Sequence, residues 1–148
     1  MFTRCYLTTP SFCAILVVKH TEGGVFFVKI QESAENYLET IYVLAKKNGS
    51  VRSIDVANEL SFSKASVSIA MKSFREDGYI TVDEDGCLKL TEKGLEVAER
   101  VYERHEILAT ALMALGVDRE TAYEDACRIE HHISDKSVEK IKEHFAKK

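Results

Sequence analysis

The chain has no tryptophan, one proline and no C-x-x-C pair among its four cysteines. It also lacks a long apolar stretch and any excess of basic charge. Cys5, Cys13, Cys87 and Cys127 stand far apart, which excludes a zinc knuckle and a thioredoxin-type motif. Reduced thiols in an intracellular, cytoplasmic chain are the simpler expectation. The longest uncharged apolar run, Phe12 to Val18, falls far short of the roughly 20 residues of a membrane helix. Arg4 ahead of that run resembles the start of a signal peptide. However, Val17-Val18-Lys19-His20 follows with no small-residue cleavage site, so secretion is not expected. The net charge is −4. Residues 31–91 carry seven Lys/Arg against ten Asp/Glu, and residues 92–148 carry ten against thirteen. Any affinity for DNA must therefore come from a local face, and non-specific binding should be weak. Neither a repeat nor a low-complexity tract is present.

What is present is a 148-residue chain with 45 % apolar residues, enough for one domain or two small ones sharing a core. Residues 1–30 mix Thr, Phe, Val and Cys without helical periodicity and read as an N-terminal extension. Val25-Phe26-Phe27-Val28 has strand character. Glu22-Gly23-Gly24-Val25 can be encoded by GAAGGAGGT, a purine-rich ribosome-binding sequence, and Val28 can be a GTG start codon behind it. A native start at Val28 and a native extension both stand open.

From Ser33, a plausible N-cap, the pattern turns helical: Ala34, Leu38, Ile41, Tyr42 and Ala45 recur at helix spacing, and Asn48-Gly49 ends the helix. A short helix from Ser53 is predicted to bury Ile54, Ala57 and Leu60. After the break Ser61-Phe62-Ser63, a third helix buries Val67, Ala70, Met71 and Phe74. Two β-prone runs, Tyr79–Val82 and Cys87–Leu90, flank Asp83-Glu84-Asp85-Gly86, a strong hairpin signal. This order is that of a winged helix-turn-helix. Thr91 then caps a long helix with the stripe Leu95, Ala98, Val101, Tyr102, Leu108, Leu112 and Leu115, stopped by Gly116. Asp118 caps a fifth helix and Ser134 a sixth. The predicted fold class is mainly α: a winged helix-turn-helix DNA-binding domain at 31–91, then an α-helical metal-binding and dimerisation domain at 92–148. The extra helices suggest a homodimer, because operators in double-stranded DNA are usually read with two-fold symmetry.

The third helix would read DNA. Ser63 and Lys64 stand at its start, and Ser66, Ser68, Ile69 and Lys72 on its outer face. Hydroxyls at a helix N-terminus suit phosphate contacts, lysine adds charge, and Ile69 can touch a thymine methyl. A solvated helix face is the ordinary alternative.

Cys127-x-x-Glu130-His131 on the fifth helix puts a thiolate, a carboxylate and an imidazole on one face. One helix rarely supplies a full ligand set. His105 lies mid-way along the fourth helix, and Asn36 and Glu39 share a face of the first. Singly, each has an ordinary reading: Cys127 as a small core residue, His105 as a satisfied core histidine, Glu39 as a surface charge. Together, on three helices, they favour a metal. His105-Glu106 begins like the H-E-x-x-H peptidase helix, but Ala109 stands where the second histidine belongs, so a metallopeptidase is not expected.

Three segments carry a family resemblance: Ala34-Glu35-Asn36-Tyr37-Leu38-Glu39-Thr40-Ile41-Tyr42, Arg104-His105-Glu106-Ile107-Leu108, and Asp125-Ala126-Cys127-Arg128-Ile129-Glu130-His131-His132. Residues 33–148 resemble the metal-dependent repressors of the diphtheria toxin repressor and manganese transport regulator family. The resemblance implies that Glu130, His131 and His105 match ligands of both branches. It matches Glu39 to a glutamate of the manganese branch and Cys127 to the cysteine of the iron branch. Asn36 falls where the branches have aspartate or methionine, a departure from both. The iron branch's ancillary site calls for a glutamate and a histidine where this chain has Ala109 and Tyr123. The sulfur at Cys127 favours Fe(II) as activator ahead of Mn(II). The implied function is metal-dependent repression of metal-uptake genes. The rivals are a winged-helix repressor answering to a small organic ligand without metal, and a metalloenzyme, for which no general base is evident beyond the ligands.

Overall fold

A computed structural model describes residues 32–145. The extension at 1–30, the Val25–Val28 strand and the Val28 start lie outside the described residues. The element order is α1 (Glu32–Asn48), α2 (Ser53–Leu60), α3 (Lys64–Glu76), β1 (Ile80–Val82), β2 (Leu88–Leu90), α4 (Glu92–Ala114), α5 (Arg119–Ile129) and α6 (Asp135–Phe145).

The helix starts follow from local chemistry. Each of three helices begins behind a side chain that accepts an otherwise orphaned N–H: Ser63 from Ser66 at 3.1 Å, Thr91 from Gly94 at 3.2 Å, and Asp118 from Thr121 at 3.1 Å. Ser134 does the same for Ser137 ahead of α6. Ser33 does not cap α1. The helix already includes Glu32, and Glu32 and Glu35 set negative charge against the positive end of its dipole.

β1 and β2 pair antiparallel, with Ile80 opposite Leu90 and Val82 opposite Leu88. Gly86 takes φ of 75° in the turn, and Asp83 Oδ1 accepts the N–H groups of Asp85 and Cys87. Leu88 also donates its N–H to the Val51 carbonyl at 2.7 Å, stitching the hairpin to the α1–α2 connection.

The main core draws on α1, α2, α3, the hairpin, and Val97 and Ala98 of α4. A smaller one joins Leu108 and Ala109 of α4 to Ala126 of α5, with Tyr123, Ile133 and Ile141 against it. α4 therefore runs from one core into the other. α1 lies along it, with Tyr42 meeting Tyr102 edge-on at 5.6 Å and its hydroxyl reaching Glu99 at 3.3 Å.

Two apolar faces differ from the sequence expectation. In α2, Val56 and Ala57 are buried, Leu60 is half-buried and Ile54 stays exposed. In α4, Leu95 is exposed and Leu115 is 76 % exposed, whereas Gly94, Val97, Ala98 and Val101 face inward. The reason lies at Gly94. A Cβ there would stand 2.0 Å from the Tyr79 carbonyl oxygen, so the helix start is pressed backbone-to-backbone against the hairpin, and that approach sets its rotation.

Gly94→Ala must push α4 off the hairpin. Overpacking of this kind costs about 1–3 kcal/mol. Urea unfolding of the variant should show a lower midpoint with an unchanged slope.

Candidate metal centre

α1 crosses α4 where α5 ends, and the charged side chains of all three elements turn inward there. Glu39 from α1, His105 from α4 and Glu130 at the end of α5 each offer one ligand atom, all within 4.8 Å of one another. Glu130 is 1 % exposed and His105 6 %. Carboxylates in such a place are costly without a partner cation. Oε1 of Glu39 is buried with no hydrogen-bond partner among the described residues. Burial first, and then the negative charge of Glu130, push the Glu39 carboxyl up to about 7. His105 and His131 act against that rise without cancelling it.

Glu130 Oε2 lies 2.7 Å from His105 Nδ1. A carboxylate can only accept, so the ring's hydrogen sits on Nδ1, and the neutral tautomer keeps its lone pair on Nε2. Two carboxylates and an imidazole that converge in a buried space, one with an orphaned oxygen, fit a divalent first-row cation.

Beside this group lies a second cluster. His131 Nδ1 is 2.8 Å from Glu35 Oε2, and its Nε2 is 2.9 Å from Asn36 Oδ1 and 3.3 Å from Glu130 Oε1. Burial alone would lower the pKa of His131. The hydrogen bond to Glu35 and the charges of Glu130 and Glu35 outweigh it and hold the pKa above the ordinary histidine range. Burial likewise raises Glu35, but the His131 hydrogen bond and charge, with Arg100 and Arg104, bring it below the usual carboxylate range. Arg100 Nη2 reaches Glu35 Oε1 at 3.3 Å. Arg104 donates to the Glu130 carbonyl at 3.0 Å and pairs with Asp135.

The residues expected from sequence are thus divided. Glu39, His105 and Glu130 come together, and Asn36 and His131 lie alongside. The half-buried Cys127 does not join the group of three. Nor do Cys127, Glu130 and His131 share one helix: α5 ends at Ile129, Glu130 is its C-cap, and His131 lies in the turn beyond. Glu130 keeps helical dihedrals and its N–H bond to the Ala126 carbonyl at 2.9 Å, so the face it shares with Cys127 continues to the C-cap before the chain turns at His131. Sequence reasoning missed Glu35. Its spacing of four from Glu39 was the available signal, since it puts both on one face of α1.

On α3, Ser63, Lys64, Ser66, Ser68, Ile69 and Lys72 are all exposed, Ile69 by 65 %. The hydroxyls of Ser63 and Ser66 bond each other at 2.8 Å, and Lys72 stands 3.9 Å from Glu76. No helix among the described residues is long and apolar enough to cross a membrane.

A winged helix-turn-helix fastened through a buried carboxylate–imidazole group to a helical unit is the build of a metal-dependent, DNA-binding transcriptional regulator. The family model of the iron dependent repressor N-terminal DNA binding domain matches residues 29–88. That of the iron dependent repressor metal binding and dimerisation domain matches residues 91–147. The HTH-type transcriptional regulator MntR of Lysinibacillus sphaericus is 38 % identical over 109 residues, 74 % of this chain and 78 % of that protein. MntR of Bacillus subtilis is 37 % identical over 109 residues, covering 74 % and 77 %. The solved structure of the manganese regulator SloR superposes with a TM-score of 0.67 at 27 % identity, over 76 % of this chain and 53 % of SloR. The chain thus spans about half the length of SloR. The chain belongs to the iron-dependent repressor family that includes the MntR regulators, a family of transcriptional repressors and not of enzymes.

An ion held by Glu39, His105 and Glu130 would bind the folded chain in preference to the unfolded one. At about 100 times its Kd it adds about 2.7 kcal/mol to stability. Thermal melts with Mn(II) and with chelator should show this gain in the parent and in Cys127→Ser, and lose it in Glu39→Ala.

Proposed function

We propose that this chain is a homodimeric, cytoplasmic repressor of metal-uptake genes, activated for operator binding by Mn(II) ahead of Fe(II). The observation that carries the reading is the buried Glu39–His105–Glu130 group, whose members come from α1, α4 and the end of α5. A divalent cation there supplies the positive charge that these carboxylates lack. The residues then do the rest. Glu39 belongs to the helix that packs against the reading head, and His105 and Glu130 to the helical unit. Holding all three to one point fixes α1 against α4 and α5. In a dimer, that fixes the separation of the two α3 helices, which must match about one turn of DNA. The proposed division is a reading unit at 31–91 and a metal-binding and dimerisation unit at 92–148.

The Cys127 sulfur favours Fe(II) when the sequence is read alone, and that preference finds no support. With the sulfur outside the group of three, two oxygens and a nitrogen remain, a harder set that suits manganese. The MntR relatives and the manganese regulator SloR point the same way. On α3, Ser63, Lys64, Ser66, Ser68, Ile69 and Lys72 are proposed to face the duplex, phosphates taking the hydroxyls and lysines.

Anaerobic anisotropy titrations on DNA from upstream of its own gene test the reading. Mn(II) should tighten binding most, Fe(II) next, with a dimer in sedimentation. Glu130→Ala should remain dimeric and lose the response. A parent indifferent to every metal would overturn the proposal. Lys72→Ala should weaken binding to every sequence and reduce the slope of log K against log salt by about 0.9, one phosphate contact.

A further inference from the structure

The inference rests on the metal-regulator reading and concerns a residue outside the proposed ligand set. Glu35 is 9 % exposed, and it uses both oxygens on different partners. Oε2 takes His131 Nδ1 at 2.8 Å, and Oε1 takes Arg100 Nη2 at 3.3 Å. One carboxylate of α1 thereby reaches the turn after α5 and the middle of α4. His131 lies in the turn that follows Glu130, directly after the end of α5. Side-chain contacts engage both nitrogens of its ring. With Nδ1 engaged by Glu35, the opposite nitrogen faces inward, 2.9 Å from Asn36 Oδ1 and 3.3 Å from Glu130 Oε1. That is the side on which the Glu39–His105–Glu130 group lies.

We propose that Glu35 is the positioning carboxylate of His131: it holds the hydrogen on Nδ1, presents Nε2 to the cation site, and is itself held by Arg100. The chemistry is general. A histidine that ligates a metal usually donates its other N–H to a carboxylate, which fixes tautomer and ring angle and raises ligand basicity. The arginine adds a second restraint. Arg100 and Arg104 stand one turn apart on α4, and Arg104 holds the Glu130 carbonyl at 3.0 Å while Arg100 holds Glu35. α4 so steadies both the turn that carries His131 and the carboxylate that aims it. Without the Glu35 contact, the ring loses the carboxylate that fixes its tautomer and angle, and metal binding must set both.

Two measurements on the full chain test this. The first is the affinity for Mn(II), by calorimetry, of the parent, Glu35→Gln and Arg100→Gln, with metal-free melting followed in parallel. Loss of the positioning carboxylate should weaken binding about 10- to 100-fold, the range for such outer partners. The Arg100 change should weaken it less, and metal-free melting, which loss of a buried pair lowers, sets the temperature at which every variant is compared folded. An unchanged affinity in folded Glu35→Gln overturns the inference. The second measurement needs no variant. Long-range proton–nitrogen spectra of the parent with diamagnetic Zn(II) identify which ring nitrogen of His131 carries hydrogen and which carries metal. Hydrogen on Nδ1 with metal on Nε2 supports the assignment. Metal on Nδ1, or a His131 ring unaffected by Zn(II), overturns it. A parent that binds neither Mn(II) nor Zn(II) overturns the metal-regulator reading itself, whereas normal binding by the parent and by Glu35→Gln overturns this inference alone.

Discussion

Two carboxylates, Glu39 and Glu130, converge between α1, α4 and the end of α5, with the imidazole of His105 between them and that of His131 beside Glu130. Like charges at this range in a medium of low polarity repel far more than they would in water. The arrangement survives in the fold because apolar packing on both sides holds it. The large core lies on the α1–α3 side, and the small one built on Leu108, Ala109 and Ala126 lies on the other. The chain spends packing energy to keep a site that wants a cation. A site of that kind turns the concentration of an ion into a preference for one arrangement of the helices, which is a coupling free energy between two places on the molecule.

Much of the frame was legible in the sequence, because it is written in local chemistry. Caps at Ser63, Thr91, Asp118 and Ser134 and the Asp85-Gly86 turn act within a few residues of themselves. The faces of α2 and α4 were not legible to the same degree. Which residue of Ile54, Val56 and Leu60 goes inward depends on where α2 lies on α1. The rotation of α4 depends on Tyr79, fifteen positions before Gly94. Neither distance shows in a helical wheel.

The site was half legible for the same reason. Glu39, His105 and Glu130 could be named because carboxylates and a histidine on faces of helices are conspicuous. His131 alone of the expected ligands stands past the C-cap Glu130, in the turn that follows α5. Glu35 went unnoticed because its partners, His131 and Arg100, are 96 and 65 residues away. Outer-layer contacts of this kind are products of the assembled fold.

α4 is 23 residues long and carries side chains into both cores. At 1.5 Å per residue it is a rod of roughly 35 Å. The boundary that the sequence draws at Thr91 is therefore not a place where the molecule can flex. Bending there would strip Val97 and Ala98 from the hairpin side and lift Gly94 off Tyr79. The flank of α4 is fastened to α1 through aromatic rings, a tyrosine hydroxyl and Glu35. The two units are better pictured as built on one beam, with α1 braced along it, than as two bodies on a tether.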